Sequence, residues 1–226
     1  MLDRRRLRAS GYEEADSLAD AGQRVDGLDG AMTEIADLPA VARVSVAVLS
    51  GYTDQDWQQV PAADLQWSCW QTGLHMVDCL YFYAMQVVYG NPDGYLCTEL
   101  ALDDSASPPR LLAALSAHAE LLHRITRSAD HDLRAHHNYG VSDAAGFAAM
   151  GAVETLIHTF DVVRGLNPAD SWRPPAALAA PVIARLFPHA PSGDAADVLL
   201  YCCGRAALGE LPRQTPQWRW DGTVRT

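Results

Sequence analysis

Residues 143–165, DAAGFAAMGAVETLIHTFDVVRG, constrain the fold more than any other segment. Between Met150 and Val163 only Glu154, His158 and Asp161 are ionisable, and almost every other side chain is apolar or small. The spacing predicts one long helix, capped by Ser142 or Asp143 and ending at Gly165. A helix apolar around most of its circumference persists in water only when other helices cover it. The chain must therefore fold as a helical bundle.

The covering elements are visible upstream and downstream. LPAVARVSVAVLSGY, from Leu38, suggests a first helix opened by Pro39 and stopped near Gly51, although its Val/Ser alternation is also strand-like. WSCWQTGLHMVDCLYFYAMQVVYG predicts a second helix with Ser68 as N-cap and Gly90 as stop. Its apolar line runs through Trp70, Leu74, Val77, Tyr81, Ala84 and Val88. A third helix is expected from about Pro109 to Arg127, on Leu111, Leu112, Leu115, Leu122 and Ile125. Two further helical segments, about Pro175 to Leu186 and Asp194 to Leu208, precede a terminal stretch with Trp218 and Trp220. With no run of strands, the fold class is all-α: a four-helix bundle over 35–166 with a short C-terminal helical extension over 167–226 packed on it.

Residues 1–34 differ. Glu13 to Asp37 carry eight acids against one Arg, with few large apolar groups to offset the entropy of ordering. They read as a disordered acidic tail, and Arg4-Arg5-Arg6 as a solvated run or a docking patch.

Charge and residue usage exclude several activities. Acids outnumber bases 28 to 17 over 226 residues, so nucleic acid and anionic membranes are not expected partners. Every base is Arg, which removes lysine Schiff bases and a P-loop lysine. The five Cys include no C-x-x-C pair, and with no apolar run behind the N-terminal arginines the expectation is a reduced, cytoplasmic chain whose thiols pack as small apolar groups. G-x-S-x-G, H-E-x-x-H, G-x-G-x-x-G and Walker A patterns are missing.

The chemistry points back to the long helix. Glu154, His158 and Asp161 project within about 60° of one another, along one row. Flanked by Val153, Ile157 and Phe160, they need a partner that replaces lost hydration, and a divalent metal is one. Glu154 and His158, at i and i+4, can share one ion; the same spacing also serves a simple Glu–His hydrogen bond. His75 is the one histidine of the second helix and a candidate third ligand, or a core histidine bonded to a neighbour. Two His and one Glu with an open position is the ligand set of a catalytic zinc site. Asp161 can orient a ligand histidine, ligate, or sit at a polar rim. His136, His137 and Tyr139, in the loop entering the long helix, are candidates to line a pocket mouth or act as acid and base. Asp78 can orient His75 or face water, and Cys79, one turn along from His75, either lies near the ion or, more simply, is a packed small residue.

Together, Asp56-Trp57, Trp67-Ser68, Leu74-His75-Met76-Val77 and Val153-Glu154-Thr155-Leu156-Ile157-His158-Thr159-Phe160-Asp161 resemble the mycothiol-dependent maleylpyruvate isomerase family of the DinB-like superfamily. Leu199-Leu200-Tyr201-Cys202-Cys203-Gly204-Arg205 is similar to that family's L-L-x-x-x-G-R segment. The resemblance spans about Leu38 to Trp220 and implies a DinB-like bundle with a divalent metal, usually zinc, on His75, Glu154 and His158. It further implies mycothiol as a metal-bound thiol cofactor, acting on a small electrophilic metabolite. Arg205 would hold a carboxylate of substrate or thiol, or lie at the surface on a helix C-terminus. The family's isomerases carry an α/β C-terminal domain for which the residues after Gly165 leave little room, and this favours another thiol-dependent reaction.

The expected function is thus a metal-dependent S-transferase or isomerase, monomeric or homodimeric. The rivals are a non-catalytic small-molecule or partner-binding module and a metal-dependent hydrolase using water.

Overall fold

The computed structural model describes residues 36–103, 106–214 and 218–225. The acidic stretch 1–34 and its arginine run lie outside the described residues. Among those described there are six α-helices and no strand: α1 (Leu38–Leu49), α2 (Cys69–Tyr89), α3 (Pro108–Ser128), α4 (Ala144–Leu166), α5 (Ala176–Leu186) and α6 (Ala195–Cys202). None is long and apolar enough to cross a membrane.

Local chemistry accounts for the boundaries. The ambiguous first segment is a helix because the Asp37 carboxylate accepts the Ala40 N–H at 3.0 Å and Pro39 pre-sets the first turn. Its buried residues, Leu38, Val41, Ala42, Ser45 and Leu49, step by three and four. At α2 the Ser68 hydroxyl accepts the Gln71 N–H and the Gln71 side chain accepts the Ser68 N–H, a reciprocal capping box. Gly90, left-handed at φ 59°, ends it.

The apolar line expected along α2 is rotated slightly. Val77, Leu80, Ala84 and Val87 face the core, whereas Val88 is 63% exposed. The sixth helix is shorter than its expected end at Leu208. The chain turns at Gly204 (φ 66°), and the Arg205 N–H reaches back to the Leu200 carbonyl at 2.7 Å.

Helix α4 is the axis of the assembly. It packs against α1, α2, α3 and α5, and α6 packs on α5. Near its C-terminal end it meets α2 closely. A Cβ on Gly165 would stand 2.2 Å from the Pro61 carbonyl oxygen and 3.0 Å from the Cys69 sulfur, so only glycine seats there. The 57–68 connection is pinned at the same place. Trp57 is buried, and its carbonyl accepts the Trp70 N–H at 2.7 Å.

A second seam binds the C-terminal segment. Arg185, buried on α5, donates to the Ser142 hydroxyl, the Asp143 carboxylate at 2.9 Å, and the carbonyls of Gly222 and Thr223. Asp143 is also the α4 N-cap, accepting the Gly146 N–H at 2.7 Å. Burial alone would raise the Asp143 pKa, but the Arg185 hydrogen bond and charge outweigh it and the value falls below the ordinary carboxylate range. A depressed native value contributes stability above the unfolded-state pKa and loses it as pH falls through the native one. Asp143→Asn keeps a capping oxygen but leaves Arg185 without its counter-charge. It is expected to cost about 2 kcal/mol at neutral pH, with the gap to wild type closing on the acid side of the carboxylate range. Urea melts across that range measure it, and a gap that does not change with pH rejects this account.

Candidate metal centre

Two helices bring the sequence-predicted ligands together. His75 lies in the second turn of α2; Glu154 and His158 lie mid-way along α4. One oxygen, Glu154 Oε2, stands 3.4 Å from His75 Nε2 and 3.1 Å from His158 Nε2. The two imidazole centroids are 5.1 Å apart and nearly perpendicular. Cys79, one turn beyond His75, places Sγ 3.4 Å from His75 Nε2. His75, Cys79 and Glu154 offer donor atoms that all lie within 4.8 Å of one another, a possible metal site. His158 joins them through the shared carboxylate oxygen.

The donor chemistry fits a divalent ion. Ligands about 2.0–2.3 Å from a common tetrahedral ion stand about 3.3–3.8 Å apart. The contacts His75–Glu154 and His75–Cys79 fall in that interval, and Glu154–His158 lies just below it. All these side chains are largely withdrawn from water, so a cation among them would meet little competition from solvent. For Glu154, burial pushes the pKa up, yet hydrogen bonds from His158 and His75 dominate and hold it far below the usual carboxylate range. The carboxylate is charged.

His158 is oriented from behind. Its Nδ1 meets Asp161 Oδ2 at 2.9 Å, which turns Nε2 towards Glu154. Burial lowers the His158 pKa, but the Asp161 and Glu154 hydrogen bonds prevail and raise it to about 9. Asp161 is buried in turn and receives Arg205 through Nε at 3.1 Å and Nη2 at 2.7 Å, a two-pronged contact. Arg205 Nη1 donates to the Cys203 carbonyl, and the guanidinium lies over the Trp218 ring at 5.3 Å.

Neither expectation for Arg205 matches this placement. The side chain is 10% exposed, so it is no surface residue, and the fork expected to clamp a ligand carboxylate is held by Asp161. The early end of α6 is the reason: the turn at Gly204 aims Arg205 inwards.

His137 and Tyr139 lie elsewhere. His137 is buried among Tyr83, Phe147 and Trp220, with ring centroids 5.9, 6.4 and 5.9 Å away, and Nδ1 accepts the Tyr139 N–H. Burial drives its pKa down to about 4, so it is a neutral imidazole near pH 7. Tyr139 is half-buried against Trp220, and burial raises its pKa. The link from this aromatic wall to the ligand cluster is Tyr83, whose hydroxyl is 3.5 Å from Glu154 Oε1. His136 stacks edge-on against Tyr95 at 4.6 Å.

Trp67 and Tyr83 join the site without having been singled out for it. Trp67 stands edge-on to His75, its centroid 4.9 Å away, and screens the cluster on that side. Tyr83, Cys79 and His75 share one row at steps of four on α2, a signal as readable as the Glu154–His158 pair.

The helical architecture and ligand cluster agree with the sequence comparison. Residues 38–203 match the family model described as the DinB superfamily. The chain belongs to the DinB superfamily. This superfamily is metal-binding, and His75, Cys79 and Glu154, between α2 and α4, form a possible metal site. No curated protein and no solved structure matches the chain.

Proposed function

We propose that this DinB protein is a metal-dependent enzyme that activates a small thiol, with mycothiol the candidate, for S-transfer to an electrophilic metabolite or for its isomerisation. One observation carries the proposal: a single carboxylate oxygen of Glu154 faces imidazole nitrogens from two separate helices. His75, Glu154 and His158 would hold the ion, and their nitrogen and oxygen donors suit zinc. A bound divalent ion would favour thiolate over thiol and so supply a nucleophile at neutral pH.

The chain's own groups do the rest. Glu154 supplies the negative charge that attracts a cation into a largely apolar interior. Asp161 fixes the His158 ring, and Arg205 fixes Asp161; Arg205 is in this view a positioning residue rather than a substrate clamp. Trp67 shields the ligands from water on one side. Tyr83, Tyr139 and His137 form the neighbouring aromatic wall, and His137, held neutral by burial, is not an imidazolium acid near pH 7.

Calorimetric titration with mycothiol tests the thiol role. Zinc-loaded protein is expected to bind it, and protein stripped by a chelator is not. Equal binding by both forms, or none by the loaded form, rejects thiol activation and leaves a water-using hydrolase or a binding module.

A further inference from the structure

Helices α2 and α4 present matched donor pairs, each spaced by four residues: His75 with Cys79, and Glu154 with His158. Donor atoms of His75, Cys79 and Glu154 all lie within 4.8 Å of one another, and His158 Nε2 stands 3.1 Å from Glu154 Oε2. Cys79 Sγ is 3.4 Å from His75 Nε2, the same atom that faces Glu154 Oε2, and Cys79 is 5% exposed. The other described cysteines lack such company. Cys69 and Cys202 are driven up to about 12 and about 11 by burial, Cys203 is wholly buried, and Cys97 is exposed. Cys79 alone has its sulfur among the imidazole and carboxylate donors of the site.

We propose that Cys79 is the site's own sulfur ligand and that an incoming thiol binds by displacing it. This rests on the assignment of His75, Glu154 and His158 to the ion. With Cys79 bound, two imidazoles, a carboxylate and a thiolate complete a four-coordinate shell, closed to water. The thiol proton passes to solvent as the sulfur–metal bond forms. During exchange the incoming thiol gives up its proton and takes the sulfur–metal bond, while Cys79 regains a proton. One thiolate replaces another, so the ion's charge balance is unchanged and no oxidant or reductant enters. The helix under Cys79 is capped at both ends, so the side chain leaves by rotating about χ1 rather than by unwinding. A soft sulfur donor replaces what Cys79 gave up better than water does.

Cobalt(II) in place of zinc makes the sulfur visible. Wild-type protein loaded with cobalt and no added thiol is expected to show the near-ultraviolet sulfur-to-cobalt band. Cys79→Ser and Cys79→Ala are expected to lose that band while keeping about one cobalt per chain. Mycothiol added to either variant should restore it, with an apparent affinity about ten-fold tighter than in wild type, because no internal ligand competes. A loaded wild type without the band, or a band that survives in both variants, overturns the proposal while leaving the metal site standing. Failure of cobalt to bind wild type at all overturns both readings. Alkylation read by mass spectrometry checks the exchange without any variant. Cys79 in the loaded wild type should react slowly and then faster when mycothiol is added, with exposed Cys97 as internal reference. Labelling of Cys79 that ignores mycothiol counts against displacement.

Discussion

Replacing His158 by Ala is expected to empty the protein of its divalent metal while leaving its helices in place. The imidazole supplies one of the two nitrogens that face Glu154 Oε2, and its loss leaves His75 to hold the ion with Glu154 and Cys79. Losing even an outer partner of a metal ligand typically costs 10–100-fold in affinity, so losing the ligand should cost more than about a hundred-fold. The fold should survive for two reasons. Asp161 keeps its pair of hydrogen bonds from Arg205, so no buried charge is stranded, and Ala is the best helix former. Elemental analysis of the purified variant and its far-ultraviolet circular dichroism give the two readouts. Wild-type metal content in His158→Ala would sink the ligand assignment.

The largest stability effect is expected at Arg205. Arg205→Met removes both hydrogen bonds to Asp161 and leaves a carboxylate that is 1% exposed with only the His158 ring for company. Removing one partner of a buried ion pair costs about 3–5 kcal/mol, because the other charge remains desolvated. In a chain of this size that lowers the melting temperature on the order of 10 °C. Lysine cannot reproduce the fork, so Arg205→Lys should recover only part of the loss. Neutralising the stranded acid as well, in Arg205→Met with Asp161→Asn, should restore more stability than either change predicts alone. The same variants separate positioning from mere stability: a freed Asp161 lets the His158 ring turn, and metal affinity falls about 10–100-fold. Unchanged melting in Arg205→Met would mean that the buried pair contributes nothing.

How far the sequence revealed this molecule depends on the distance between cause and effect along the chain. The caps of α2 and α4 were legible because Ser68 and Asp143 act within three residues of themselves. Burial of α4 was legible because its composition leaves no polar face. The convergence of His75 with Glu154 and His158 is a contact across some eighty residues. The residues alone left His75 open between a ligand and a core histidine, and the resemblance singled it out. The environment of Arg205 was illegible for a different reason. A left-handed turn at Gly204, not a longer α6, decides where the guanidinium goes, and glycine is compatible with either outcome. Val88 was misplaced because steps of three and four fit two adjacent helix faces, and packing chose the one through Val87. Cys79 was underweighted because a small buried thiol looks the same in sequence whether it touches leucine or imidazole.

The missing side chain at position 165 has an effect two turns away. Because Gly165 lets the start of α2 and the carbonyl of Pro61 rest directly on α4, it works as a spacer of zero thickness between the two rods that carry the donors. Inserting even one methyl group would prise them apart like a shim in a vice. The ångström-scale gap among His75, Glu154 and His158 is thus gauged by an atom that is not there.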